Sequence, residues 1–176
     1  MLTAETERRL DELLSKQEIY ERLCDYMRGQ DRLDPVLHRS VFWDDARTDY
    51  GIYKGDADGF VAFAQGVLTP HGSNQHLIGQ VRIDLEGDVG FGEVYFIAYH
   101  RVVDEGEDKD LIIAGRYVDR YERRDGVWKI AFRSELVDWA RTDPAADAVL
   151  KSSTQTLLGR RGTDDLSSQR ERLRTL

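Results

Sequence analysis

Four long β-type segments in the second half of the chain constrain its fold more than any other feature. Each is rich in the aromatic and β-branched residues that are typical of strands. The segments are residues 73–85, 89–103, 110–123 and 127–138. The turn signals Glu86-Gly87-Asp88 and Arg124-Asp125-Gly126 and an acidic stretch at residues 104–108 join them. This pattern predicts a curved antiparallel sheet.

The first part of the chain predicts helices. Apolar residues recur at helical spacing between residues 3 and 28, which indicates one or two amphipathic helices that Gly29 can interrupt or end. The recurring residues are Leu10, Leu13, Leu14, Ile19, Leu23 and Met27. Asp34 followed by Pro35 predicts an N-cap and a short helix that runs to about Trp43. Asp31 is therefore expected near a helix end.

The segment between these helices and the four strands predicts a short strand at residues 46–50, a tight turn and a brief return. Either Asp56 or Asp58 then caps a helix over residues 60–68. Helices that precede a sheet in this order cover one of its faces. We expect one α+β domain at residues 1–145 and a polar extension at residues 146–176, of which residues 162–176 are mobile or partner-dependent.

Charge and composition exclude several classes of function. The 33 acidic residues outnumber the 25 basic ones, and the net charge is -8. Nucleic acids and anionic membranes need a cationic surface, so neither is an expected partner. The first twenty residues are charged and hold no continuous apolar run, which predicts neither a signal peptide nor a membrane span. We therefore expect a cytoplasmic protein.

Residues that could bind metals or cofactors are sparse. Cys24 is the only cysteine, so no internal disulfide is possible, and a free thiol on a helix face is expected to be buried. The four histidines lack metal-ligand spacing, and phosphate-binding glycine loops and a Gly-x-Ser-x-Gly elbow are absent. We expect no cofactor. His38 reads as exposed on the short helix, whereas His100 points either into the sheet interior or at an oligomer contact.

Five segments resemble the SnoaL-like branch of the NTF2-like superfamily, near γ-hexachlorocyclohexane dehydrochlorinase, bile acid 7α-dehydratase and scytalone dehydratase. The segments are IYERLCDYMRGQD (19–31), FWDDA (42–46), YKG (53–55), QHLIG (75–79) and YERRDGVWKI (121–130). The resemblance implies a cone, in which a strongly curved antiparallel or mixed sheet and N-terminal helices enclose a pocket. Residues 1–145 would form this domain.

The resemblance also implies a catalytic pair. Asp31 falls where these relatives place a carboxylate after the first long helix, and His76 matches their histidine at the start of a central strand. An aspartate that accepts the Nδ1 proton fixes the imidazole tautomer and leaves Nε2 free to move a proton. On spacing alone, Asp31 and His76 would be one of several possible pairs. His71 is a weaker alternative to His76, because loop residues are placed less firmly than strand residues.

Three further residues take substrate-binding roles by the same resemblance. Tyr26 and Tyr50 stand at spacings similar to those of two steroid-facing tyrosines in the bile acid enzyme, and Arg133 matches an arginine on the last strand. Each could equally be an ordinary packing or surface residue. The dehydrochlorinase has a lysine at the position of Tyr26 and a tryptophan at that of Thr48, so its halide chemistry is not carried over.

The implied function is a cofactor-independent lyase or isomerase, dehydratase-like, acting on an apolar ring-containing small molecule. The alternative is a non-catalytic ligand-binding protein or a structural protein like the β subunit of a ring-hydroxylating dioxygenase. Open curved sheets bury exposed apolar strands against copies of themselves, so we expect a homodimer or homotrimer.

Overall fold

A single helix, α1 (Ala4–Asp31), opens the chain in the computed structural model, which describes residues 2–175. The side chain of Thr3 caps it by accepting a hydrogen bond from the Thr6 amide. The helix passes through Gly29, where the sequence allowed a break. A Cβ at Gly29 would lie 2.7 Å from the backbone of His38, so the glycine permits the close approach of the next helix.

The next elements follow their capping residues. Helix α2 (Pro35–Ser40) begins at Asp34, whose carboxylate accepts a 2.9 Å hydrogen bond from the Leu37 amide. The prediction that it reaches Trp43 is wrong. Strand β1 (Phe42–Asp49) already starts at Phe42, because Phe42 pairs with Ile130 in the sheet.

Of the two residues predicted to cap the following helix, Asp56 and Asp58, the structure shows Asp56 as the cap. After the short strand β2 (Lys54–Asp56), its carboxylate accepts a 2.8 Å hydrogen bond from the Gly59 amide and caps α3 (Ala57–Leu68). Asp58 lies inside the first turn of α3.

The four long strands are β3 (Ser73–Glu86), β4 (Val89–Asp104), β5 (Glu107–Arg124) and β6 (Val127–Pro144). The sheet order is β2-β1-β6-β5-β4-β3, with β1 and β6 parallel and the other pairs antiparallel. Register shifts interrupt several ladders, and such bulges bend the strands. The acidic connection predicted at residues 104–108 is only a turn at Glu105 and Gly106, because β4 ends at Asp104 and β5 begins at Glu107. Both turn residues have positive φ. The structure thus confirms the α+β fold with a curved mixed sheet.

The hydrophobic core lies between the helices and one face of the sheet. Its members include Ile19, Leu23, Phe42, Phe60, Val94, Phe96, Trp128 and Ile130. Two burial predictions are wrong. Cys24 is exposed, because α1 turns Leu23 inward and Cys24 out. His38 is fully buried rather than exposed, because α2 packs that residue directly against Gly29. Leu10, Leu13 and Leu14 are also exposed, so only the second half of α1 covers the core.

The polar extension contains short helical elements. These are α4 (Ala148–Ser152), two 3₁₀ turns (Gly162–Asp164 and Leu166–Ser168) and α5 (Arg170–Leu173). The predicted domain at residues 1–145 begins at Met1, and the predicted extension at residues 146–176 ends at Leu176. Both of these end residues lie outside the described residues. Within residues 2–175, no helix is both long and apolar enough to cross a membrane.

Gly29 in α1 and Gly66 in α3 give a matched test of the α1–α2 contact. Alanine normally stabilises a helix by about 1 kcal/mol relative to glycine. We expect Gly66→Ala to follow this rule, because a Cβ there meets open space. Gly29→Ala is expected to destabilise the protein by about 1–3 kcal/mol, because the added Cβ overlaps His38. Urea unfolding of both variants checks the opposite signs, and equal shifts would contradict the close approach.

Candidate active site

Asp31 and His76 lie in direct contact. His76 Nδ1 is 2.7 Å from Asp31 Oδ1, and both side chains are nearly buried. The Asp31 carboxylate also accepts the backbone N–H of His76, at 3.2 and 3.1 Å. Because Asp31 is the last residue of α1 and His76 lies near the start of β3, these bonds fix the helix end to the sheet.

The hydrogen bonds set the tautomer of His76. A carboxylate only accepts, so Nδ1 carries the proton that Asp31 binds. Nε2 of His76 makes no hydrogen bond to another residue in the described part of the chain. The ring is therefore oriented with Nε2 free to accept a proton, which is the arrangement that general-base catalysis requires.

Two further histidines lie beside the pair. The ring of His100 is 5.2 Å from those of His76 and His71, and the amide of Asn74 lies 3.2 Å from His100 Nδ1 and 3.0 Å from His71 Nδ1. His100 thus faces the interior, one of its two predicted positions. Burial, followed by the neighbouring His76 and His71, lowers the pKa of His100 to about 3. It is neutral at physiological pH and adds no charge beside the pair.

Tyr26 and Tyr50 form a hydroxyl pair. Their oxygens are 2.6 Å apart, Tyr26 is fully buried, and Tyr50 is partly buried. Burial raises the pKa of Tyr26 well above its usual value, and burial together with Tyr26 does the same to the pKa of Tyr50. Both are neutral hydroxyls. One of the two hydroxyls donates its hydrogen bond to the other, and the second hydroxyl can donate to another group.

Arg133 lies in the interior, bound to a carboxylate. Its Nε and Nη2 donate to Asp119 at 2.8 and 2.6 Å, and both side chains are completely buried. Its guanidinium also lies over the rings of Tyr26 and Tyr117, at 4.2 and 4.3 Å from their centroids. Burial acts to lower the pKa of Arg133, but Asp119 raises it well above the ordinary value. The arginine is therefore charged and largely neutralised.

The sequence profile of the SnoaL-like domain matches residues 11–134, more than half of the chain. The chain belongs to the SnoaL-like family. This finding confirms the resemblance identified from the sequence, and the profile spans every residue assigned above to the candidate site.

Several proteins are similar to this SnoaL-like chain. Hexachlorocyclohexane dehydrochlorinase 1 of Sphingobium indicum is 33% identical over 134 residues, which cover 69% of this chain and 80% of the relative. The γ-hexachlorocyclohexane dehydrochlorinase of the same species is 30% identical over 140 residues, covering 74% and 85% of the two chains. Both relatives are named for elimination of hydrogen chloride, a lyase reaction.

Solved structures agree with the fold. A type 2 hexachlorocyclohexane dehydrochlorinase superposes with a TM-score of 0.70 at 29% identity and covers 78% of this chain and 93% of its own. A scytalone dehydratase candidate from Novosphingobium aromaticivorans has a TM-score of 0.68 at 21% identity, covering 77% and 91%. The second likeness shows the fold alone.

The structure brings all five predicted site residues of the SnoaL-like domain to its interior in two groups. Asp31 and His76 form one, and Tyr26, Tyr50 and Arg133 form the other. Their catalytic and binding roles stay predictions. His71 contacts the Asn74 amide rather than a carboxylate, as befits the weaker alternative. Among residues 2–175, no group of three or more His, Cys, Asp or Glu side chains is placed to hold a metal ion.

Sequence reasoning missed Asp119, whose signal was the alternation Tyr117-x-Asp119-x-Tyr121. Alternate residues of a strand share a face, and both tyrosines are buried. Tyr121 donates its hydroxyl hydrogen bond to Asp119. The tyrosine alternation is the sequence signal that could have placed Asp119 on the buried face of β5.

Arg161 of the polar extension was missed as well, and nothing in the sequence indicates its position. Its guanidinium donates to the carbonyls of Leu68 and Thr69, and its Nη2 lies 3.0 Å from the Asn74 amide. The Gly162 amide donates a 2.7 Å hydrogen bond to the Arg32 carbonyl. These contacts bring the extension next to Asp31 at the end of α1.

Removal of Asp119 tests the internal ion pair of this SnoaL-like chain. Asp119→Ala leaves the Arg133 charge buried without its partner, which is expected to lower the free energy of unfolding by about 3–5 kcal/mol. Asp138→Ala, which breaks the exposed pair with Arg116, is the control and should leave the urea midpoint nearly unchanged. Similar losses from both variants would contradict the buried ion pair.

Proposed function

We propose that this protein is a cofactor-independent lyase of the dehydratase type, in which His76 moves the proton and Asp31 orients it. The observation that carries the proposal is the 2.7 Å contact between His76 Nδ1 and Asp31 Oδ1. Such a contact holds the tautomer and stabilises the imidazolium that forms during proton transfer. A lyase activity is also supported by the dehydrochlorinase relatives.

The proposed reaction begins at a carbon next to a carbonyl. His76 Nε2 takes a proton from this carbon, and the electron pair of the C–H bond moves to the carbonyl oxygen to give an enolate. The enolate then re-forms the carbonyl and makes a carbon–carbon double bond as the C–O bond of a hydroxyl on the neighbouring carbon breaks. The imidazolium then gives its proton to the departing hydroxide. One C–H and one C–O bond break, a C=C bond forms, and water leaves, so that His76 returns to its starting state.

The hydroxyl pair suits the stabilisation of the intermediate oxygen charge. A neutral tyrosine O–H donates to a carbonyl and strengthens that bond as the carbonyl becomes an enolate. The paired hydroxyls of Tyr26 and Tyr50 keep one donor available for this purpose. Arg133 is already neutralised by Asp119, so we assign it a polarising and positioning role above the ring of Tyr26 rather than that of a free cation.

Oxygen is the proposed leaving group in place of chloride. By the resemblance described under the sequence analysis, the dehydrochlorinase has a lysine and a tryptophan at the positions of Tyr26 and Thr48. Tyr26 is committed to the Tyr50 hydroxyl, and Thr48 is small and buried. The substrate class that we propose is therefore an oxygenated, mostly apolar ring compound.

The compound 3-hydroxy-1-tetralone tests the proposal, since its dehydration gives fluorescent 1-naphthol and water. We expect the wild-type protein to release 1-naphthol and His76→Ala to lower the rate by about 10²- to 10⁴-fold, because the general base is lost. Asp31→Asn should lower kcat similarly, because an amide does not hold the required tautomer.

His71→Ala is the matched control and should retain most of the activity, since His71 has no carboxylate partner in the described residues. Circular dichroism verifies that each variant is folded. Absence of turnover above the uncatalysed rate, or equal rates for wild type and His76→Ala, contradicts the proposal and favours the non-catalytic alternative. Chloride release from γ-hexachlorocyclohexane at a higher kcat/KM than dehydration contradicts the proposed leaving group.

We also propose that the protein forms a homodimer or homotrimer and works in the cytoplasm. Large apolar side chains are about half exposed on the sheet: Leu77, Phe91, Tyr95, Ile97, Leu136, Val137 and Trp139. Burial of such a surface against a second copy gains roughly 25 cal/mol per Å². Light scattering coupled to size-exclusion chromatography should give a mass two or three times that of one chain, and a monomer would contradict the proposal.

A further inference from the structure

Glu135 lies on the inner face of the sheet, beside the hydroxyl pair. It is two residues beyond Arg133 on β6 with no register shift between them, so both side chains point to the same face. Glu135 is paired in register with Tyr117, whose buried ring contacts the Arg133 guanidinium. Thr48 is the register partner of Arg133 on the adjacent strand β1. Glu135, Arg133 and Thr48 therefore form one patch on the inner face of the sheet.

Each member of this patch has a polar group without a partner among the described residues. Thr48 Oγ1 and Arg133 Nη1 are buried and make no hydrogen bond. Glu135 is partly buried, and its carboxyl makes neither a hydrogen bond nor an ion pair with any described side chain. Other carboxylates of the sheet are satisfied: Asp119 binds Arg133, and Glu93 binds Arg116.

The electrostatic surroundings agree with this placement. Burial raises the pKa of Glu135, while His76 and Arg133 act to lower it. Burial is the largest cause of the raised pKa values of Tyr26, Tyr50 and Tyr117, and the charge of Glu135 acts in the same direction. These directions agree with the position that the strand register gives to Glu135, on the same face of β6 as Arg133.

A buried polar group without a partner destabilises the protein, and a ligand that satisfies the group binds in preference to one that does not. A polyhalogenated hydrocarbon has no donor for a carboxylate and would leave Glu135 without a partner. A carboxylate ligand would be repelled by it, because the charge of Arg133 is already balanced by Asp119. A neutral hydroxyl donates to Glu135 and accepts from Thr48 or Arg133.

We propose that Glu135, with Thr48 Oγ1 and Arg133 Nη1, forms a specificity subsite that hydrogen-bonds a second hydroxyl of the substrate, distinct from the leaving group. This inference rests on the proposed function, because it describes the same interior, and it narrows the substrate class to neutral ring compounds that carry a free hydroxyl. Glu135 accepts the hydrogen bond and does not itself transfer a proton.

Two probes of nearly equal shape test the subsite without turnover. The hydroxyl of 2-naphthol can donate to a carboxylate, whereas 2-methoxynaphthalene cannot. We expect the wild-type protein to bind 2-naphthol at least about tenfold more tightly in titration calorimetry, since only its hydroxyl can donate a hydrogen bond to the charged carboxylate. Glu135→Gln should reduce the preference to about threefold, because a neutral acceptor is weaker. Glu135→Leu should abolish it.

Glu93→Gln is the matched control. Glu93 lies on β4 between Gly92 and Val94, and its partner Arg116 places it on the opposite face of the sheet. It should keep the full preference. Equal affinities of the two probes for wild type, no binding of either at millimolar concentration, or an unchanged preference in Glu135→Leu would each overturn the inference.

The same titrations with His76→Ala separate this inference from the proposed function. The preference for 2-naphthol should persist there, because Glu135 and not His76 accepts the hydroxyl. If the protein prefers 2-naphthol but does not dehydrate 3-hydroxy-1-tetralone, the subsite is supported and the proposed lyase activity is contradicted. If it dehydrates 3-hydroxy-1-tetralone but shows no preference for 2-naphthol, the lyase activity is supported and the subsite is contradicted.

Discussion

The hydrogen bonds between Asp31 and His76 connect the architecture of this protein to its chemistry. One carboxylate at the end of α1 binds both the ring and the backbone amide of a residue near the start of β3. The ring cannot rotate without losing its bond to the helix, and the helix end cannot move without releasing the strand. The same contact that joins helix to sheet also fixes the tautomer of the proposed general base.

The interior opposite this pair combines aromatic packing with charge. Arg133 is completely buried, yet Asp119 binds it with two hydrogen bonds and two tyrosine rings cover its faces. Buried charges persist only when paired in this way. The arrangement leaves Arg133 Nη1, Thr48 Oγ1 and Glu135 without partners among the described residues.

Local patterns predicted most of the fold. The turn residues between the long strands and the caps at Asp34 and Asp56 act through bonds to residues within a few positions, and these elements lie close to where the sequence indicated. The predicted end of α2 and the predicted exposure of His38 were wrong, because long-range contacts decide both. Phe42 is drawn into the sheet by Ile130, and His38 is buried by Gly29.

The candidate site shows the same contrast between what local patterns predict and what long-range contacts decide. Asp31 and His76 are 45 positions apart, so no local rule pairs them, and the family resemblance was needed to bring them together. The tyrosine alternation indicates the face of Asp119 but not its partner, and Glu135 carries no motif. The positions of both relative to Arg133 appear only once β5 and β6 are in register.

Long-range ¹H–¹⁵N spectra of the histidine side chains at about pH 8 test the central claim most directly, because they report which ring nitrogen holds the proton. The account predicts that His76 is the Nδ1–H tautomer and that Asp31→Asn changes this state. A His76 ring that is protonated at Nε2, or that exchanges freely between tautomers in the wild-type protein, would contradict it.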